Sequence, residues 1–278
     1  MPTYADVCSA AEQIAGHAIQ TPLLESPLLN EALGGRILVK AECLQRAGAF
    51  KFRGAYNRIS RLAAEELKAG VVAFSSGNHA QGVALAAQML GTPAVIVMPK
   101  DAPTMKIDNT RAYGAEIVLF DRASENREEI GKQLATERDA ILVPSYDDEH
   151  IIAGQGTVGL EMLQDDDDLD ALIIPIGGGG LIAGSAIAAK AINRKIKIYG
   201  VEAKAYPSMR NILKGKKTKA GGQTIAEGIA VKDPGELTRP IVKKLVSDLL
   251  LVDETALEEA VQVYLETQRL VVEGAGAA

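Results

Sequence analysis

Leu172-Ile-Ile-Pro-Ile-Gly177-Gly-Gly-Gly180-Leu-Ile-Ala-Gly184 runs an apolar strand into four consecutive glycines and then into a helix. A buried strand passing directly into a helix is the unit from which parallel sheets are built. Glycines let backbone N–H groups converge, and a helix N-terminus adds positive potential, so such a turn can bind a phosphate group. A tight turn that needs only conformational freedom is the plainer account. Four glycines in a row favour the phosphate, because each adds to the entropy lost on ordering. No Gly-Lys-Ser/Thr follows, which excludes a P-loop. Leu181 and Ile182 stand where the dinucleotide pattern G-x-G-x-x-G would need glycine. Glu202 ends the next strand candidate, about where a ribose-binding acid would sit, and keeps a nicotinamide-dependent dehydrogenase open as a minority reading.

Outward from this stretch, short Val/Ile/Leu-rich runs alternate with helical ones. Strands are expected at 37–40, 71–75, 94–98, 116–120, 141–143, 172–176, 197–201 and 249–252. Helices are expected at 81–90, 106–113, 124–137, 156–163, 181–193 and 254–269. The alternation predicts an α/β protein with parallel sheets flanked by helices. The run 171–189 carries no charge and approaches the ~20 residues that cross a bilayer. Pro175 and the four glycines in its middle exclude that, because a helix in lipid would lose backbone hydrogen bonds there. Asp165 to Asp168 reads as a solvated loop rather than a calcium loop, which would need spaced ligands and a central glycine. The charged stretch 214–219 reads as a surface loop.

The chain has 278 residues, about two domains on a prior of ~150 residues each. Apolar residues make up 47%, which excludes a disordered chain. The net charge is −6 and the pI about 5.3, which argues against a nucleic-acid partner. Only two cysteines are present, Cys8 and Cys43, so there is no disulfide framework, and a reducing, cytoplasmic setting is expected. The N-terminus lacks the basic-then-apolar pattern of a signal peptide.

Two further segments carry chemistry. In Ala47-Gly-Ala-Phe50-Lys51-Phe-Arg53-Gly54-Ala55, a lysine stands among aromatic and small residues. A lone lysine is usually an exposed helix residue. One kept near apolar groups has its neutral form favoured, which suits Schiff-base chemistry. In Phe74-Ser75-Ser76-Gly77-Asn78-His79-Ala80-Gln81-Gly82, hydroxyls, an amide and free N–H groups gather at a helix start. They could cradle a carboxylate, or Ser75 or Ser76 could simply cap the helix. His79 alone reads as a structural hydrogen-bonding residue. No His/Cys cluster supports zinc, and no Ser/His/Asp arrangement supports a hydrolase triad.

Taken together and in this order, the three segments resemble the fold type II pyridoxal-phosphate enzymes, in the branch of threonine/serine dehydratases and serine racemases. The resemblance also takes in Ile19-Gln-Thr-Pro-Leu-Leu, Lys40-Ala-Glu-Cys-Leu-Gln45, Ile152-Ala-Gly-Gln-Gly-Thr157 and Val271-Val-Glu-Gly-Ala-Gly276, so it covers nearly the whole chain. It implies pyridoxal 5'-phosphate as cofactor, with Lys51 as the catalytic lysine bound to it as a Schiff base. Phe50 would pack on the cofactor ring and Asn78 would hydrogen-bond its 3'-oxygen. Gly177, Gly178, Gly179 and Gly180 would hold its phosphate. Ser75, Ser76, Gly77 and His79 would surround the substrate carboxylate, and Arg127 is similar in position to an arginine that pairs with it. Ser76 would serve the opposite face of Cα, which permits racemisation without proving it.

The implied reaction is β-elimination of L-threonine or L-serine to a 2-oxo acid and ammonia. The alternatives are a serine racemase, a hydroxyaspartate dehydratase, or a cofactor-binding fragment without turnover. Members with the first two activities often bind a divalent cation through a Glu and an Asp six residues later. Here Glu202 matches but Ser208 stands at the second place, so no metal is assigned. The resemblance also implies a later Ser-Gly-Gly-Asn segment whose serine meets the cofactor's pyridine nitrogen. The sequence holds no such segment, and 275–278 reads like the start of an unfinished helix, so a truncated chain is expected. No C-terminal regulatory domain is expected, nor allosteric control by an end product. The expected division is a small domain, 63–145, inserted into a large one made of 1–62 and 146–278, with the cofactor between them and the protein a homodimer.

Overall fold

A computed structural model describes residues 1–75, 77–217 and 219–278. Two parallel sheets dominate it. The first has four strands in the order β5-β4-β3-β6, formed by β3 (Val71–Phe74), β4 (Ala94–Pro99), β5 (Glu116–Phe120) and β6 (Ile141–Leu142). The second has three in the order β7-β8-β9, formed by β7 (Ala171–Pro175), β8 (Lys197–Ala203) and β9 (Asp248–Val252). A short antiparallel pair, β1 (Leu23–Glu25) with β2 (Leu38–Lys40), lies outside both. The expected strands are all present, within a residue or two of the expected bounds.

The helices fill the intervals. They are α1 (Tyr4–Ile14), α2 (Pro27–Leu33), α3 (Lys51–Ile59), α4 (Ala64–Ala69), α5 (Asn78–Leu90), α6 (Thr104–Ala112) and α7 (Arg127–Glu137). Then follow α8 (Glu149–Asp165), α9 (Gly180–Ile192), α10 (Ser208–Leu213), α11 (Thr238–Leu245), α12 (Glu254–Val263) and α13 (Gly274–Ala277). Helix α12 ends earlier than expected. A wide π-turn occupies Tyr264–Gln268, and Arg269 then takes a left-handed φ of 56°.

The largest correction is α8. The sequence predicts a helix at 156–163 only. The helix instead runs for 17 residues, and the Asp148 carboxylate starts it by accepting from the N–H groups of His150 and Ile151. Its glycines are there for close packing. A Cβ on Gly154 would lie 2.6 Å from Gly54 Cα in α3, and one on Gly156 would lie 2.8 Å from Gly184 O in α9. Gln155, between them, accepts the Gly54 N–H at 3.1 Å. One buried helix therefore holds α3, which begins at Lys51, and α9, which begins at the tetraglycine turn.

The cores follow these layers. Phe52, Ile59, Val71, Ala73, Ile96, Met98 and Ile151 belong to one buried cluster around the first sheet. Its members come from α3 and α8 as well as from the sheet, so the hydrophobic contacts cross the expected boundaries at 62 and 146. Leu172, Ile174, Ile182, Ile198 and Val242 form a second cluster around the other sheet.

An ion network fixes the N-terminal strap to this body. The Arg53 guanidinium is fully buried, pairs with both oxygens of Glu42 at 2.8 and 2.9 Å, and reaches Glu161 at 2.5 and 2.9 Å. Lys40 joins Glu161 at 2.8 Å and Asp165 at 3.0 Å. Among the described residues no helix is long and apolar enough to cross a membrane.

Candidate active site

A cleft of about 1940 Å³ is lined by the carboxyl ends of β3, β6 and β7 and the loops that follow them. This is the position where open parallel sheets bind ligands. The tetraglycine turn, the lysine segment and the 74–79 segment all border it.

The glycine turn leaves no room for side chains. Gly179 has φ +96°, and a Cβ there would lie 2.8 Å from Met209 Cε and Thr238 Oγ1. A Cβ on Gly178 would lie 2.1 Å from the Tyr146 ring, and one on Gly177 would meet Val231 Cγ2 at 3.0 Å. The Thr238 hydroxyl donates to Gly178 O at 2.7 Å and fixes the turn from behind. Gly180 then opens the 13-residue α9. The result is a bare backbone surface at a helix N-terminus, facing the cleft. Such a surface fits a phosphate group. Gly179→Ala is expected to weaken pyridoxal phosphate binding roughly tenfold, because an L-residue in this conformation costs about 1–2 kcal/mol. Equilibrium dialysis checks this, and wild-type affinity in the variant would contradict it.

Lys51 is the first residue of α3, after Phe50. Its Nζ donates to Ser145 O at 2.7 Å and lies 5.4 Å from the Phe50 ring centroid. Burial lowers its ammonium from the usual 10.5 to about 8, against a smaller upward pull from Glu273. An amine with that affinity for protons is neutral in appreciable fraction near pH 7.5 and can hold an aldehyde carbon. The phosphate-binding turn and the aldehyde-binding amine line the same cleft, so the residues fit pyridoxal phosphate.

The 74–79 segment corrects the capping account. Gly77 is the N-cap of α5, so Ser75 does not hold that place. Ser75 Oγ accepts from Gly77 N–H at 3.3 Å. Ser76 lies outside the described residues. Asn78 Nδ2 donates to Glu273 Oε1 at 2.7 Å across the cleft.

The His79 ring is buried, and its Nε2 bonds to Val143 O at 2.9 Å while Nδ1 has no partner. Burial, and then the Lys51 charge, lower it to about 3, so the ring is neutral. It serves the wall behind the site, as a structural histidine does. Arg127, the first residue of α7, borders the cleft with its guanidinium carbon 5.7 Å from the Phe74 ring centroid.

Glu202 is placed elsewhere. Its carboxylate is buried and accepts from the N–H groups of Met209 and Arg210, at 2.7 and 2.9 Å, at the start of α10. Burial pushes it up to about 7, the two N–H donors pulling the other way. It does not border the cleft, so the feature that suggested a ribose-binding acid is a helix cap.

Three residues of the site were missed from sequence. Tyr146 lies against Gly178 and Gly180 and donates its hydroxyl to Asp233 O at 2.9 Å. Asp147 accepts from the N–H groups of Glu236 and Leu237, at 2.8 Å each. Glu273 is the third. Tyr146 and Asp147 follow a strand end, which is the one signal that could have found them.

Comparison with known proteins agrees with this geometry. A family profile described as "Pyridoxal-phosphate dependent enzyme" matches residues 14–278. The chain is 44% identical over 279 residues to L-threonine ammonia-lyase of Thermotoga maritima, covering 100% of this chain and 70% of that one. It is 45% identical over 275 residues to L-threo-3-hydroxyaspartate ammonia-lyase of Saccharomyces cerevisiae, covering 98% and 84%. The structure of maize serine racemase superposes with a TM-score of 0.96 at 41% identity, covering 99% of this chain and 84% of that one. The chain therefore belongs to the family of pyridoxal-phosphate dependent enzymes, with the fold type II architecture. Within it, its curated relatives include PLP-dependent ammonia-lyases, and its cofactor is pyridoxal 5'-phosphate.

Proposed function

We propose that this chain catalyses the β-elimination of L-threonine or L-serine, giving a 2-oxo acid and ammonia. The observation that carries this reading is a half-buried lysine with a lowered proton affinity, on the same cleft as a side-chain-free glycine turn.

Bound pyridoxal phosphate supplies an electron sink for the charge that develops at the substrate Cα. The N–H groups of Gly177 to Gly180 would hold its phosphate, and Lys51 Nζ would hold its aldehyde carbon. Asn78 would meet its 3'-oxygen and Phe50 would lie beside its ring. Backbone N–H groups around Ser75, Gly77 and His79, with Arg127, bind the substrate carboxylate. Ser76 is assigned to the opposite face of Cα. Once free, Lys51 Nζ accepts the proton from Cα. Water is lost across Cα–Cβ, and hydrolysis gives the 2-oxo acid and ammonia.

The division into 63–145 and the remainder is part of this proposal. It is supported by sheet membership, since β3 to β6 fall inside the insert and β7 to β9 outside it. A homodimer in the cytoplasm is proposed with it, and the free Cys8 and Cys43 agree with a reducing compartment.

The lysine's proton affinity predicts a pH dependence. The apo protein is expected to capture pyridoxal phosphate faster as pH rises, with a midpoint near 8, where Lys51 loses its proton. An ordinary lysine would give a midpoint near ~10.4. Stopped-flow absorbance checks this, and a midpoint above 10 would contradict it.

The assay that tests the function is keto-acid production by the cofactor-loaded protein from L-threonine, L-serine and L-threo-3-hydroxyaspartate in parallel, with D-serine measured by chiral chromatography. 2-Oxobutanoate from threonine, or pyruvate from serine, supports the proposal. Turnover of hydroxyaspartate alone, or D-serine without keto acid, would replace it with the corresponding relative's activity. Cofactor binding with no product from any of them would overturn it in favour of a binding protein.

A further inference from the structure

We propose that Glu273 is a positioning residue of this site, its carboxylate orienting the Asn78 amide from across the cleft. The inference rests on the cofactor reading above and goes beyond it, since neither the glycine turn nor the lysine segment requires an acid on the far wall.

The backbone that carries Glu273 is clamped. Its carbonyl accepts from the N–H groups of Gly276 and Ala277 at 2.9 and 3.1 Å, which closes the short α13. A Cβ on Gly274 would lie 2.6 Å from Ile225 O, so that glycine sits hard against the neighbouring chain. Ala275 packs into a buried cluster with Ala203, Ala226, Ile229 and Leu257. The side chain, by contrast, is exposed within the cleft, and Oε1 accepts from Asn78 Nδ2 at 2.7 Å. A fixed backbone with its carboxylate projecting to one polar partner is the geometry of an orienting group.

The chemistry follows from what a carboxylate can do. It is an acceptor, so it selects the NH2 end of the Asn78 amide rather than the oxygen. One N–H is used on Glu273, and the second stays free for an acceptor in the cleft. Asn78 is also the first residue of the 13-residue α5, and the start of a helix favours a negative group.

The same carboxylate acts on Lys51. Burial lowers the lysine's proton affinity, and Glu273 is the one charged side chain that opposes this. The other groups around Lys51 are the Ser145 carbonyl, the Phe50 ring and the neutral His79 ring. Removing the charge on Glu273 would therefore leave the Ser145 carbonyl as the acceptor that holds the proton on Lys51 Nζ against burial.

The test uses the full chain, with Glu273→Gln, Glu273→Ala and Asn78→Ala, and two readouts. The first is made without cofactor. The pH dependence of Lys51 labelling by 1-fluoro-2,4-dinitrobenzene is followed by mass spectrometry of its peptide. The midpoint is expected to fall by about one pH unit in both Glu273 variants and to stay in place in Asn78→Ala. The second is pyridoxal phosphate affinity. It is expected to fall roughly tenfold in Glu273→Ala and in Asn78→Ala, with no further loss in the double variant, because the two act as one unit. Glu273→Gln, which keeps an acceptor, recovers most of that affinity but not the Lys51 midpoint. A merely structural role would not split the two readouts in this way.

An unchanged Lys51 midpoint in both Glu273 variants, or additive losses of affinity, would overturn the proposal. Failure of the wild-type chain to bind pyridoxal phosphate would overturn the cofactor reading itself, and the labelling midpoint would still decide the coupling between Glu273 and Lys51.

Discussion

Lys51→Ala is expected to leave a folded protein whose elimination activity has fallen by at least ~10³-fold. Two losses combine. The amine that holds the cofactor is gone, and so is the base that takes the proton from Cα. The fold itself should not lose, because the half-buried wild-type lysine has, among the described residues, one hydrogen-bond partner, Ser145 O at 2.7 Å. Removing a desolvated amine removes a penalty. Denaturation midpoints at or above the wild-type value, together with keto-acid formation at background level, would agree. Retention of more than about a tenth of the activity would show that another group does the chemistry.

Arg53→Leu, two residues further along α3, is expected to do the reverse. Its guanidinium is 0% exposed and makes four contacts at 2.5 to 2.9 Å with Glu42 and Glu161. It also donates to Thr157 Oγ1 and to Ile19 O. Leucine would leave two partly buried carboxylates facing each other without a cation between them. Breaking one partner of a buried pair costs about 3–5 kcal/mol. The thermal midpoint should fall by roughly 10 °C. Lys40 still neutralises part of Glu161 from 2.8 Å, so Glu42 is the more exposed to the loss. Urea denaturation of the variant checks this. A change under ~1 kcal/mol would show that the carboxylates take up protons or find water instead.

These two neighbours show what could and could not be read from sequence. The strand–helix alternation and the tetraglycine turn fixed the parallel architecture, because apolar runs and glycines act within a few residues of themselves. Lys51 stood out through its apolar neighbours. Arg53, two residues on in the same motif, drew no notice, since its partners Glu42 and Glu161 lie 11 and 108 residues away in opposite directions. The same holds for Glu273, whose partner Asn78 is 195 residues away.

The glycines of α8 misled for a different reason. Gly154, like any glycine, lowers helix propensity, and the expected helix at 156–163 began after it. In the fold Gly154 and Gly156 let α3 and α9 approach, and packing outweighs propensity. Glu202 misled by position. An acid at the end of the strand after a glycine loop suggests a ribose, yet its two backbone donors, Met209 and Arg210, show it capping α10. Residues whose role depends on what the chain brings from elsewhere were invisible. Residues whose role depends on immediate neighbours were legible.

Borohydride reduction of the pyridoxal-phosphate-loaded protein, followed by digestion and mass spectrometry, tests the central claim most directly. The account predicts a single pyridoxyl group on the peptide containing Lys51, and none in Lys51→Ala. Labelling of Lys40, Lys106 or Lys232 in place of Lys51, or no label on a protein that holds the cofactor, would contradict it.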